Sequence, residues 1–167
     1  MTKQLNKPCI LFGSDSSTKS TAISIFENGI YKTNILLDLS NIKGKANNRI
    51  PVMVKDLYKI INTHNPDIIV LETPVVVRNA QAQRDLSMLA GCLWGKCIEL
   101  DIDFNMLRPT EWRSLISKEK KGNKREELKA WSKQKVNDLY GLEVESDDIS
   151  DAILIGQAYI NYMKSYE

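Results

Sequence analysis

Residues 10–26 read ILFGSDSSTKSTAISIF, and residues 66–74 read PDIIVLETP. In the first stretch an apolar run ends in a polar turn and is followed by an alternating run, Thr21 to Phe26. Glu27-Asn28-Gly29 then turns the chain into a third extended segment, Ile30 to Leu37. Runs of this length bounded by Gly, Ser, Asp and Asn read as strands joined by tight turns. Three antiparallel strands therefore open the fold, the first spanning Cys9 to Gly13 and ending at Ser14-Asp15. The second stretch is β-branched over Asp67 to Leu71 and fits a central strand covered on both faces, with Glu72 delivered at its carboxyl end just before Pro74.

The segments around these two follow from spacing. Ser40 to Asn48 is a polar loop, with Lys43, Gly44, Lys45 and the adjacent Arg49, that leads into a helix over about Pro51 to Thr63, where Val54, Leu57, Ile60 and Ile61 recur at helical intervals. Asn65-Pro66 stops it, and His64 just before is a helix-end residue rather than a catalyst or ligand. Asn79 to Leu100 is a long helix with an apolar seam that includes Leu86, Leu89 and Leu93. Phe104 to Leu107 is a last strand, Pro109-Thr110 opens a short helix, Lys124 to Leu139 is a basic helix, and Asp148 to Met163 closes the chain. The predicted class is α/β: a five-stranded mixed sheet, three antiparallel strands and then parallel ones, flanked by helices.

At 167 residues with no repeat or linker, the chain reads as one domain, 1–167. Only Cys9 to Phe12 is continuously apolar near the N-terminus, so the expectation is a cytoplasmic protein without a secretory signal or membrane span. Three cysteines, Cys9, Cys92 and Cys97, make neither a CxxC pair nor an even disulfide set, and with a single histidine they give zinc or Cys-His chemistry little support. The net charge of +2 conceals a segregation: residues 108–136 carry +6 and residues 137–167 carry −6. Such polarity suits a protein that grips a polyanion with one element and cations with another, although solvated helix faces give the same pattern.

Acids stand at three separate places that the topology would aim at one locale: Asp15 after the first strand, Glu72 after the fourth, and Asp148 with Asp151 at i, i+3 on the last helix. Each alone has a structural explanation as a turn former, a solvated strand end, or an N-cap and first-turn acid. Together, four like charges need cations between them. Hard divalent ions, Mg²⁺ or Mn²⁺, suit oxygen ligands, and two of them roughly 4 Å apart support in-line displacement at phosphorus.

These segments resemble the RuvC-like Holliday junction resolvases of the RNase H-like superfamily. The resemblance covers nearly the whole chain: ILFGSDSSTKSTAISIF is similar to the opening strand and hairpin, and PDIIVLETPVVVRNAQAQRDLSMLAGCLWG to the glutamate strand with its long helix. RPTEWRSLI is similar to the strand-to-helix segment, and DDISDAILIGQAYI to the closing helix with its D-x-x-D-A pair. It implies a Mg²⁺-dependent endodeoxyribonuclease that resolves four-way and other branched DNA by paired nicks, leaving 5′-phosphate and 3′-hydroxyl ends, in a bacterial or phage-infected cell. It further implies that Asp15, Glu72, Asp148 and Asp151 are catalytic and hold two ions, with Asp147 a competitor for Asp148. Arg113, Lys124 and Arg125, grouped with Lys121 and Arg78, would contact DNA. A homodimer would form around the long helix, its seam including Leu86, Leu89 and Leu93, with no small-molecule substrate, whereas the sequence alone favours core burial over an interface for most of those positions. Two departures stand out: Ser16-Ser17-Thr18 replaces the usual Pro-Gly-Ser, and Val75 stands where an aromatic wedge is expected.

Other readings remain open. The SDSSTKS turn also resembles the phosphate-binding hairpin of the sugar-kinase and actin superfamily, but this chain is short for two domains closing over nucleotide and lacks a second such hairpin. A ribonuclease H acting on RNA·DNA hybrids would use a similar acid set. A branched-DNA-binding protein without catalysis would not need four intact carboxylates. Trp112 and Trp131, interleaved with the basic segment, are better placed in the core than on nucleic acid.

Overall fold

A computed structural model of the chain describes residues 8–74 and 79–166. Val75 and Arg78 lie outside the described residues. Strands β1 (Ile10–Ser16), β2 (Ser20–Glu27), β3 (Ile30–Asp38), β4 (Ile68–Glu72) and β5 (Asp103–Leu107) form a sheet in the order β3-β2-β1-β4-β5. The pairs β3/β2 and β2/β1 are antiparallel, whereas β4 runs parallel to both β1 and β5. Helices α1 (Ala46–His64), α2 (Ala80–Leu100), α3 (Pro109–Ile116), α4 (Arg125–Tyr140) and α5 (Asp147–Lys164) flank it. This is the mixed α/β architecture that the strand pattern predicts. Among the described residues no helix is long and apolar enough to cross a membrane.

Strand alternation splits the core into two layers. Phe12, Ile69 and Leu71 face α1 and α2, where they pack with Met53, Leu57, Ile61, Leu89, Leu93 and Cys97. Leu11 and Val70, with Phe26, face the other side and meet Trp112, Val136, Ile153, Leu154 and Ile155.

Three expectations need correction. β1 does not stop at Ser14-Asp15: Asp15 pairs with Ala22 and Ser16 with Thr21, so the acid sits inside a hydrogen-bonded strand. α1 starts at Ala46, well before Pro51, because Arg49 in its first turns is 8% exposed and donates to the carbonyls of Thr18, Ile42 and Gly44, which ties the preceding loop into a helical start. The seam on α2 is the third. Leu89 and Leu93 are buried against the sheet, and Leu86 is half-buried at the edge of the same face. A three-layer fold must cover its central strands, and these leucines do so.

α5 and β1 approach each other at backbone distance. A Cβ placed on Gly13 would stand 2.4 Å from the Gly156 nitrogen and 2.5 Å from the Ala152 oxygen, and one on Gly156 would stand 2.4 Å from the Phe26 ring. Helix backbone rests on strand backbone there, a contact only glycine permits. Gly13→Ala should therefore lower unfolding free energy by about 3 kcal/mol, since backbone cannot yield as a side-chain end can. Gly91→Ala, whose Cβ meets nothing within 4 Å, should be neutral or stabilising by up to about 1 kcal/mol in the same urea titration. Equal effects at the two positions would contradict this packing.

Candidate active site

The paired positions of β1 and β4 run from Leu11↔Ile68 to Ser14↔Leu71. Asp15 and Glu72 are therefore the next residues on two neighbouring parallel strands, whose backbones lie about 5 Å apart. Alternation turns both toward α5, on the side of Leu11 and Val70. Ser146 caps α5 by accepting from the Ile149 amide at 3.3 Å, and this sets Asp148 and Asp151 in its first turns. The structure thus brings all four acids to the carboxyl edge of the parallel strands, the place that α/β sheets use for their sites.

The surroundings of each acid differ. Trp112, fully buried on α3, donates its Nε1–H to Glu72 Oε2 at 2.6 Å. The Ser20 hydroxyl donates to Asp148 Oδ2 at 2.6 Å, joining the start of β2 to the start of α5. Among the described residues Asp151 Oδ1 is buried with no hydrogen-bond partner. The buried Ser132 hydroxyl lies near enough to favour ionised Asp151, yet it also closes no hydrogen bond. Asp147 points elsewhere, its carboxylate held by Lys129 at 2.5 Å and Lys133 at 3.0 Å on α4, and those bonds lower its pKa.

Burial and mutual repulsion disfavour ionisation of this cluster. Burial, and then the charges of Glu72, Asp151 and Asp148, lift the Asp15 carboxyl well above its ordinary range. Burial raises Glu72, opposed by the Trp112 hydrogen bond and by Arg113. Asp151 is raised to about 6, chiefly by burial. A carboxyl that keeps its proton when folded but loses it near pH 4 when unfolded stabilises the fold at low pH. For Asp151 that contribution is lost as pH climbs from about 4 through about 6, and Asp15 and Glu72 act in the same direction, so at neutral pH these acids work against folding.

Arg113 is the cation of the locale. Its guanidinium lies 4.4 Å from the centre of the Trp112 ring, its Nε is buried without a partner among the described residues, and its charge favours ionised Asp15, Glu72 and Asp151. Lys124 and Arg125 are exposed at the start of α4, and Lys121 lies 5.5 Å from the Trp131 ring centre. Among the described residues none of these three forms an ion pair with the acids.

The donor set suits a hard divalent cation: carboxylate oxygens only, mutually repelling, one of them an orphaned buried acceptor. Among the described residues, however, no three such side chains already converge on one point fit for a metal. Trp112 and Ser20 hold one oxygen each of Glu72 and Asp148, and repulsion separates the rest. The acids are assembled, and their side chains would have to re-aim to share an ion. Sequence reasoning did not assign Ser20 and Trp112 to the site. Neither carries a local signal, since their partners lie 128 and 40 residues away along the chain.

No protein-family model matches the chain, and no curated protein sequence matches it. Solved structures do. The chain is similar to Thermus thermophilus RuvC in complex with Holliday junction substrate, with 10% identity, a TM-score of 0.74, and coverage of 94% of this chain and 96% of that one. A second Thermus thermophilus RuvC structure gives 12% identity, a TM-score of 0.72 and the same two coverages of 94% and 96%. The yeast mitochondrial Holliday junction resolvase Ydc2 gives 14% identity and a TM-score of 0.60, covering 97% of this chain and 82% of that one. The strand order, the mixed pairing and the flanking helices described above are thus those of the RuvC-type, RNase H-like fold.

Proposed function

We propose that the protein is a divalent-metal-dependent endonuclease that nicks branched DNA, four-way junctions above all, on paired strands. The observation that carries this reading is the gathering of Asp15, Glu72, Asp148 and Asp151 from β1, β4 and α5 at one sheet edge, with Arg113 beside them, on a RuvC-type fold. These four acids would hold Mg²⁺, or Mn²⁺ in its place, as two ions per site. Bound there, the ions supply a water acidic enough to attack and positive charge for the leaving oxygen.

The chain's own side chains have separable tasks. Trp112 fixes one Glu72 oxygen and leaves the other open to the site, and Ser20 does the same for Asp148. Arg113, lacking a carboxylate partner among the described residues, is placed to meet a phosphate oxygen. Asp147, neutralised by two lysines, keeps α4 docked on α5, which supports Asp148 as the fourth acid. Lys124, Arg125 and Lys121 add phosphate contacts that carry no sequence information. Cleavage would leave 5′-phosphate and 3′-hydroxyl ends.

Two strands cut in pairs need two sites, which supports a homodimer. Since Leu89 and Leu93 face the core, the face of α2 open to a second copy is the opposite one. Met88 and Ile98 are 55% and 71% exposed there, and Gly91 and Gly95 lie between them with nothing close. These positions share a stripe at i, i+3, i+7 and i+10. Ile98→Glu should yield a folded monomer by light scattering that releases single nicks, whereas Leu89→Glu buries an unpaired carboxylate and should unfold the domain. A folded dimer formed by the Ile98→Glu variant would remove α2 from the interface.

Labelled junction, fork, flap, RNA·DNA hybrid and linear duplex, each with and without Mg²⁺, form the direct assay. Asp15→Asn, Glu72→Gln and Asp151→Asn should each abolish junction cutting while leaving junction binding intact, because they remove charge and keep shape. Wild-type cutting by any two of these variants sinks the assignment, and cutting confined to the hybrid would redirect it to ribonuclease H.

A readout independent of cleavage follows from the raised carboxyls. In chelator at pH 7, Asp151→Asn should unfold later than wild type, by about 1–2 kcal/mol once screening is allowed for. Mg²⁺ should raise the melting temperature of wild type and do less for the variant. An unchanged or lower stability of the metal-free variant would show that Asp151 is not held under repulsion.

A further inference from the structure

Beside the acids lies an open cleft of about 820 Å³ whose walls come from the β1–β2 turn, the start of α1 and the start of α2. Leu86 borders both this cleft and the recess that contains Asp15, Ser16 and Glu72, so the two are neighbours. We propose that this cleft is a phosphate subsite that holds the backbone of the same nucleic-acid strand next to the scissile position, with Lys19 and Lys45 as the contacting cations and Arg49 as the positioning residue. The inference rests on the nuclease reading above and adds to it a binding track made from elements that hold none of the four acids.

Arg49 carries the argument. The residue is more than nine-tenths buried, and its acceptors are neutral: Thr18 O at 3.1 Å from Nε, and Gly44 O at 2.7 Å and Ile42 O at 3.4 Å from Nη1. Carbonyls take up three of its five N–H hydrogens but none of its charge, and among the described residues no carboxylate pairs with it. By these bonds it also fixes the turn after Asp15 to the loop before α1, and so holds Lys19 and Lys45 at the lining of one cleft. Both lysines are exposed, and neither makes a salt bridge among the described residues.

The remaining wall chemistry agrees. The 19-residue α1 begins in the cleft with no side-chain cap and no acid in its first turn, which leaves its amide end open to an anion. One carboxylate lines the space, Asp85, and it is buried and engaged by Gln81 Nε2 at 2.8 Å. Three cations against one acid leave the cleft positive beside a cluster of carboxylates. A strand bound across the acids would find its next phosphates met here.

The test uses the cleavage-dead Asp15→Asn protein and a fluorescent four-way junction, with affinity followed across a salt titration. Adding Lys19→Glu and Lys45→Glu should weaken binding and flatten the log-log salt slope by about 1.4 to 1.8, as two lost phosphate contacts require. Because both side chains are exposed, the melting temperature should hold. Combining these changes with Lys124→Ala and Arg125→Ala should give additive losses. An unchanged slope and affinity, with the Asp15→Asn protein still binding junction, overturns the subsite and leaves the nuclease reading standing. Failure of the Asp15→Asn protein to bind any branched or linear DNA overturns both.

Discussion

The contact between Gly13 on β1 and Gly156 on α5 decides where everything else can stand. With no Cβ on either residue, helix backbone meets strand backbone, and the separation and roll of α5 over the sheet are set by atoms that cannot adjust. Asp148, Ala152 and Gly156 form one stripe at i, i+4 and i+8. Two hydroxyls on one face of β2 stitch that stripe down: Ser24 donates to the Ala152 carbonyl at 2.7 Å, and Ser20 to Asp148 at 2.6 Å. Asp151 lies three residues past Asp148 and is thereby brought over Asp15 and Glu72. The acids on α5 are placed by packing in the middle of the helix, and the capped first turn only begins it.

That placement has an energetic consequence. Gathering carboxylates under partial burial raises Asp15, Glu72 and Asp151, so the fold carries destabilising charge that α5 must hold in register. The hydrophobic layer beneath offsets it: Ile153, Leu154 and Ile155 are wholly buried directly after Asp151. The switch from polar to apolar falls within one turn of helix. A cluster of mutually repelling carboxylates and a core that excludes water share one element, and the glycine contact marks the border between their layers.

Much of this is legible in the sequence, and the failures have a common cause. Strand alternation, the Asn-Gly turn and the β-branched run before Glu72 are local signals, and they suffice for the sheet and for Asp15 and Glu72 at its edge; Asp148 and Asp151 follow from i, i+3 spacing on the last helix and from the family resemblance. The end of β1 escapes them because Ser14-Asp15-Ser16 has the composition of a turn, while pairing with Thr21 and Ala22 keeps it extended. The start of α1 escapes them because Pro51 resembles a helix start, whereas Arg49 organises the turn ahead of it through carbonyls that include one distant in the chain. On α2 the spacing of Leu86, Leu89 and Leu93 shows a buried face without showing what buries it. Periodicity reports that a stripe avoids water and is silent on whether sheet or subunit covers it.

The short helix α3 shows how two adjacent residues can divide a task that neither could perform alone. Trp112 is wholly buried and spends its one polar hydrogen on Glu72, so the core itself fixes the orientation of an acid at its rim. Arg113 follows, with its guanidinium over the indole of Trp112, and offers charge to Asp15, Glu72 and Asp151 without pairing with any of them. A direct salt bridge would occupy a carboxylate oxygen; charge held at stacking distance lowers the repulsion without taking one up. Lysine could set a point charge over the ring but has no planar group to stack on it. Among the described residues the Arg113 Nε and one Asp151 oxygen are both buried without a hydrogen-bond partner, and under the proposed function a phosphate and cations would complete them.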